Sequence, residues 1–329
     1  MSSPKFSVVI PVYNRPEELR ELLASLGSQS CTNFEVLVVE DGSTKRSEAV
    51  YEEFAKRLRI QYFYKPNTGP GPSRNFGFRH AKGEFFVVFD SDCILPPEYF
   101  EVVEKYMQSN PLDAWGGPDR GHEAFSPLQQ AMAYTMSSVL TTGGIRGSKN
   151  QAEKFQPRSF NMGISRKVWE ATGGFKFDRL AEDIELSVRM RKAGFRIELI
   201  PDAFVFHKRR TSLKGFFKQV QGFGRGRVRV GKQHPGEVKV THWFPAFFIV
   251  FLAGLVFLWI INGPLLWPLT FLLLVYAAAI LIDAIRVTRS PTVAILSIPS
   301  ALVQLVGYGW GFLNEMVRKQ SIVHGNSTN

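Results

Sequence analysis

The acids with the most chemical promise in this sequence are Asp41, the pair Asp90 and Asp92, and Asp183 with Glu182 before it. Asp90-Ser91-Asp92 sets two carboxylates one residue apart, directly after the apolar run Phe85-Phe86-Val87-Val88-Phe89. A hard divalent cation that holds phosphates is bound by one or two carboxylates together with phosphate oxygens. A buried strand ending in such a pair would deliver it to the crevice where open α/β sheets take their ligands. Asp41 follows a second apolar run and precedes Gly42, so it either reaches that crevice or only forms a turn. Glu182 and Asp183 open an amphipathic segment. Two acids there complement a helix dipole, and one facing the crevice could take a proton from a hydroxyl. The chain has no Gly-x-x-x-x-Gly-Lys loop, Gly-x-Ser-x-Gly elbow or His-Glu-x-x-His pair. His207, a lone histidine, reads as structural rather than as a ligand.

These groups need strands and helices to position them, and the first 200 residues supply an alternation of both. The pattern predicts an α/β domain with a largely parallel sheet. Strands are expected over Phe6–Pro11, Phe34–Val39, Ile60–Tyr64 and Phe85–Phe89. Asn14 reads as a helix N-cap, with Glu17 completing a capping box, and Leu19, Leu22, Leu23 and Leu26 form one buried face. A Pro/Gly loop from Asn67 to Pro72 opens a helix through Arg74 and Asn75, and a further helix covers Pro97–Ser109.

Composition bounds the rest. The chain has 329 residues, 45% apolar and 21% charged, which excludes a disordered protein. Its two cysteines, Cys31 and Cys93, exclude a disulfide scaffold and a four-thiolate zinc site. The net charge of +11 is concentrated: Val205 to His242 holds ten Lys or Arg against one acid, Glu237. That argues against a nucleic-acid coat and for one local basic belt. Beyond it, the 40 residues from Trp243 to Ile282 contain no Asp, Glu, Lys or Arg. A bilayer core needs roughly 20 apolar residues per helix, so two spans fit, Trp243–Ile261 and Leu265–Ile282, split by Asn262-Gly263-Pro264. Pro291–Asn314 offers a third, which either crosses or re-enters, because Arg318 and Lys319 beyond it oppose a positive-inside arrangement. Phe6–Pro11 is too short for a signal peptide. The expected arrangement is a multi-pass protein of the inner (cytoplasmic) membrane with its catalytic part in the cytosol. Residues 1–204 form the catalytic domain, 205–242 a basic interfacial segment, 243–319 the transmembrane region and 320–329 a tail.

In order along the chain stand Val8-Val9-Ile10-Pro11-Val12-Tyr13-Asn14-Arg15, Val38-Val39-Glu40-Asp41-Gly42-Ser43, Asn67 to Asn75, Asp90-Ser91-Asp92, Asn161 to Arg166, Gly173-Gly174-Phe175 and Glu182-Asp183-Ile184-Glu185-Leu186. This series resembles a family 2 glycosyltransferase of the GT-A fold over roughly residues 5–230. The resemblance implies a Rossmann-like α/β catalytic domain that moves a sugar from a nucleotide-sugar donor, UDP-linked by first expectation, with inversion at the anomeric carbon. It implies nucleotide contacts at Pro11, Tyr13, Asp41, Arg74, Asn75 and Asp90, Mg²⁺ or Mn²⁺ at Asp90 and Asp92, and Asp183 as the base. Glu40 stands where the family more often has Asp. The Gln-x-x-Arg-Trp motif of processive synthases is missing, and Gln219 to Arg227 stands in its place.

That segment is similar to membrane-anchored transferases that build lipid-linked saccharides, as in succinoglycan-type pathways. The acceptor implied is thus a polyprenyl-linked saccharide, with membrane lipids as further partners. Arg225 and Arg227, among small glycines, are candidates for gripping a diphosphate. The alternative for the belt, which also holds Lys208, Arg209, Arg210 and Arg229, is binding of anionic headgroups. Two rival functions stand beside the main one: transfer onto polyprenyl phosphate itself, and a non-catalytic nucleotide-sugar-binding subunit of an envelope assembly complex.

Overall fold

The structure, a computed structural model, describes residues 3–120, 125–142, 155–208 and 210–318. It forms two compact units, Met1–Ala133 with Gly144–Arg210, and Tyr134–Gly143 with Thr211–Asn329. Arg209 and the tail from 319 lie outside the described residues.

The first unit holds strands β1 (Phe6–Val12), β2 (Phe34–Asp41), β3 (Ile60–Lys65), β4 (Phe85–Phe89), β5 (Cys93–Ile94), β6 (Ala114–Gly116), β7 (Asp119–Arg120), β8 (Asn161–Ser165), β9 (Ile197–Leu199) and β10 (Val205–His207). Among them run helices α1 (Pro16–Gly27), α2 (Glu48–Phe54), α3 (Pro70–His80), α4 (Tyr99–Ser109), the first part of α5 (Pro127–Ser137), α7 (Arg166–Thr172) and α8 (Glu182–Lys192). The main sheet has the order β3-β2-β1-β4-β8-β6-β9. Strands β3, β2, β1 and β4 are mutually parallel, and β8 enters antiparallel to β4. Both faces of a parallel sheet are covered, so its strands read as unbroken apolar runs. Val8 and Ile10 pack with Leu19, Leu22 and Phe100 on one face. Val9 packs with Phe78, Phe86 and Leu186 on the other. A second sheet, β5-β10-β7, sits beside the first.

One local expectation is corrected. Asn14 does not cap α1: Arg15 occupies the N-cap without a side-chain bond, and Pro16 opens the helix. Proline at the first helical position needs no hydrogen-bond acceptor for its nitrogen. Asn14 instead turns into the left-handed region at φ 55°. Its side-chain oxygen accepts from the Lys45 N–H at 2.9 Å and the Thr44 hydroxyl at 3.1 Å, tying the ends of β1 and β2 together. The helix expected from Pro97 begins at Tyr99.

The second unit contains the end of α5, α6 (Val139–Thr142), α9 (Leu213–Gln233), α10 (Phe244–Ile260), α11 (Leu266–Thr288) and α12 (Pro291–Val317). Three helical stretches, Val240–Ile260, Leu266–Thr288 and Pro291–Val317, are long and apolar enough to cross a membrane. α10 and α11 leave large apolar groups open, Trp259 at 72% and Trp267 at 75% exposure, whereas α12 is half buried. α12 packs most extensively on α9, and also touches α10 and α11. A Cβ on Gly311 would lie 2.1 Å from the Gln221 carbonyl oxygen, and one on Gly224 would lie 2.1 Å from that of Tyr308. Only glycine allows backbones this close.

Candidate active site

Strand β4 delivers Asp90-Ser91-Asp92 at its carboxyl end, and the first turn of α8 brings Glu182 and Asp183 to the same place. Arg74 of α3, 2% exposed, joins them: Nη2 donates to Asp90 Oδ1 and Nη1 to Glu182 Oε1, each at 2.7 Å. Burial alone would lower the Arg74 pKa, but Asp90 and Glu182 outweigh it and raise it, so this guanidinium stays charged. Ser159 adds a hydroxyl donor to Glu182 at 3.3 Å. Burial, and next the neighbouring Asp183, raise the Glu182 carboxyl to about 7. The Asp183 side chain keeps 14% of its surface open. Its Oδ1 accepts from the Ile184 N–H at 2.8 Å and its Oδ2 from the Ser159 N–H at 3.3 Å.

Asp92 is held from two sides. Arg15 Nη1 donates to Oδ2 at 2.6 Å, and His207 Nε2 lies 3.2 Å from Oδ1. The second contact follows from the small sheet, where His207 pairs with Cys93 and the Lys208 N–H donates to the Asp92 carbonyl at 3.1 Å. Burial pushes the Asp92 carboxyl up, but His207 and Arg15 together hold it well below the usual carboxylate range. Ligand atoms of Asp92, Cys93 and His207 lie within 4.8 Å of one another. Burial drives the Cys93 thiol far up, which leaves it neutral and a poor ligand. Asp92 Oδ1 is buried, with the His207 imidazole as its ion-pair neighbour rather than a hydrogen-bond donor of good geometry. A carboxylate and an imidazole nitrogen there, with a second carboxylate two residues away at Asp90, are donor types that suit Mg²⁺ or Mn²⁺. His207, which the sequence reads as structural, stands beside Asp92 through the pairing of β10 with β5, a neighbourhood that appears only in the sheet.

The remaining expected site residues separate into open and occupied ones. Asp41 is 4% exposed, and both its oxygens are taken: Lys65 Nζ and the Thr68 N–H, at 2.9 Å, reach Oδ1, and the Gly69 N–H reaches Oδ2 at 2.9 Å. Burial works to raise its pKa, and these donors outweigh burial and lower it. Gly42 makes the turn that follows, at φ +70°, where a Cβ would lie 2.6 Å from Asn67 N. Asn75 likewise faces protein. Its amide donates to the Phe175 carbonyl at 2.7 Å and accepts from the Phe175 N–H at 2.9 Å, fixing the loop after Gly174. Glu40 accepts from Ser43, the Ser47 N–H and Tyr62, which accounts for a longer acid at that position. Pro11 is partly buried in β1. Tyr13, just past β1, leaves half of its surface open.

Arg225 and Arg227 belong to the second unit. Arg225 Nε donates to Glu315 Oε2 at 3.1 Å, and Arg229 Nε to Glu315 Oε1 at 3.2 Å. Arg227 is buried, 7% exposed.

A mostly parallel α/β sheet with these acids at its strand ends defines a GT-A-like domain. Residues 7–170 match the model of glycosyl transferase family 2, and the chain belongs to that family through this domain. Its relatives include the putative glycosyltransferase EpsH of Bacillus subtilis (strain 168), 38% identical over 104 residues, covering 31% of this chain and 30% of EpsH. The probable glycosyltransferase YdaM of the same organism is 26% identical over 234 residues, covering 68% of this chain and 55% of YdaM. An uncharacterized glycosyltransferase of Rickettsia conorii (strain ATCC VR-613 / Malish 7) is 37% identical over 110 residues, which cover 33% of this chain and 18% of that protein. The chain thus spans only part of each relative's length. Among solved structures, the fold is similar to that of the mannosyltransferase PcManGT from Pyrobaculum calidifontis in complex with GDP-Man and Mn2+. The TM-score is 0.64 at 20% identity, covering 93% of this chain and 88% of that one.

Proposed function

We propose that this chain is a metal-dependent, inverting glycosyltransferase that moves a sugar from a nucleoside-diphosphate donor to a hydroxyl of a lipid-linked saccharide at a membrane. The observation that carries this is Arg74, whose buried guanidinium ties the Asp90-Ser91-Asp92 turn to the start of α8. A carboxylate pair suited to a cation and a carboxylate suited to a base are thereby held in one constellation. Family membership and the three apolar helices support the donor class and the membrane setting.

Asp90, Asp92 and His207 would hold the cation. Bound there, it would neutralise charge on the leaving nucleoside diphosphate. Arg15, already on Asp92, adds a second positive charge at that position. Asp183 takes the acceptor proton on its open edge as the acceptor oxygen bonds to the anomeric carbon and the bond to the diphosphate oxygen breaks on the opposite face. Two backbone donors to Asp183 fix its orientation. Glu182 and Arg74 position the turn and the helix start rather than touching substrate. Tyr13 offers an open ring for the base of the donor. Asp41 and Asn75 act one step back, by shaping the loops at 67–69 and 173–175 that border the site.

The test uses detergent-purified full chain with labelled UDP- and GDP-sugars and membrane-lipid extract, with and without Mn²⁺. One donor is expected to give metal-dependent label in the organic phase. Asp183→Asn is expected to cut turnover by about 10²–10⁴-fold while leaving the donor dissociation constant within a factor of a few. Full metal-dependent turnover by Asp92→Ala would sink the metal assignment, and loss of donor binding in Asp183→Asn would sink the base.

A further inference from the structure

Inside the second unit a cavity of about 700 Å³ opens between the segment at 134–140 and the last turns of α11. Its polar wall is built around Asp283. Oδ2 accepts the Tyr134 hydroxyl at 2.5 Å and the Ser138 hydroxyl at 3.2 Å. Oδ1 accepts nothing among the described residues. Val139, Leu140, Ile282 and Val287 make the walls apolar, with Val139 70% and Val287 64% exposed. Arg286, one helical turn on, lies at the same cavity, exposed and paired with no acid among the described residues.

The cavity therefore presents three chemistries side by side. A fixed carboxylate with a spare oxygen accepts hydrogen bonds from hydroxyls. A free guanidinium takes phosphate oxygens. Apolar walls at the charged end of a helix suited to a bilayer take a hydrocarbon chain. From this geometry we infer that the cavity binds the lipid acceptor, an isoprenyl-linked phosphate or diphosphate carrying sugar. Its phosphate lies on Arg286, a sugar hydroxyl on Asp283, and its first isoprene units against Val139 and Ile282. This rests on the transferase reading above and gives its acceptor a site. An ordinary anionic headgroup would satisfy Arg286 on an open helix face without needing the carboxylate wall. Asp283 would also repel a second phosphate oxygen placed deep in the cavity. The carboxylate thus favours a headgroup whose inner part is uncharged and rich in hydroxyls.

The full chain in phosphatidylcholine nanodiscs would be exposed to a photoactivatable isoprenyl phosphate carrying a sugar, with phosphatidic acid, which has no headgroup hydroxyl beyond its phosphate, or inorganic phosphate as competitors. Nucleotide-sugar binding would be measured on the same samples. Label is expected in peptides spanning 134–142 or 279–287. Arg286→Gln and, independently, Val139→Asp are each expected to reduce it about tenfold or more. Phosphatidic acid or inorganic phosphate in tenfold excess should displace little of it. Label elsewhere, label unchanged in both variants, or equal displacement by phosphatidic acid or inorganic phosphate would overturn the assignment. Loss of nucleotide-sugar binding in the unmodified protein would instead sink the transferase reading while leaving the labelling result to stand on its own.

Discussion

At the scale of single residues, the candidate site is divided between groups left open and groups already bonded within the protein. Asp41 and Asn75 sit in family motifs, yet their polar atoms are bonded to Lys65, Thr68, Gly69 and Phe175. Asp41→Ala would leave the Thr68 and Gly69 N–H groups without their acceptor, while Lys65 keeps the Pro66 carbonyl and the Thr68 hydroxyl. Unpaired buried donors cost about 1–3 kcal/mol each, so the variant should lose about 2–4 kcal/mol in a denaturation curve. Tyr13→Ala, at an exposed position, should leave stability within about 0.5 kcal/mol and weaken only donor binding. Equal stability of the two variants would return Asp41 to a direct nucleotide role. The sequence pointed to these residues as candidates for the site. It did not show which of their atoms were already occupied, because the partners come from loops brought in by the sheet.

At the scale of elements, the basic segment and the last apolar helix form one packed pair. α9 and α12 run in the same direction: Gly307 meets Val220, Gly311 meets Gln221, and Glu315 meets Arg225 and Arg229. The glycines of α9 were expected to permit close backbone approach beside Arg225 and Arg227, and Gly224 lies against the backbone of α12. Gly311→Leu should force the pair apart at a cost of about 1–3 kcal/mol. In detergent this reads as a lower unfolding midpoint and earlier proteolysis after 233. Gly254, with nothing within 4 Å of a Cβ, supplies the control, since Gly254→Leu should leave the midpoint in place. Indistinguishable midpoints would mean that the close packing of α9 on α12 does not hold in the micelle.

At the scale of the whole molecule, the pair bears on membrane topology. α9 carries Lys214, Lys218, Arg225, Arg227, Arg229 and Lys232, too many charges to rest in hydrocarbon. The second half of α12, in backbone contact with α9 and sharing Glu315 with it, then lies at α9's depth. α10 and α11, apolar and mostly exposed, would be left as the crossing hairpin. Topology reporters fused before Met1 and after Asn329 are expected to read the same compartment. Opposite compartments would mean that α12 crosses, and that Glu315 and its arginines part in the bilayer.

Much was legible in the chain itself. Strands of unbroken apolar residues announced a sheet covered on both faces, and an acid pair after one of them announced where a cation could sit. Forty uncharged residues announced helices fit for a bilayer. Those signals are local, because burial periodicity and bilayer thickness act on contiguous residues. What only the tertiary structure decided is pairing at a distance. It put His207 beside Asp92 through β10, Arg74 between Asp90 and Glu182, and Asp283 against Tyr134. Each joins residues with no regular spacing, and hydrogen bonds and ion pairs form at about 3 Å, a distance that only the folded chain sets.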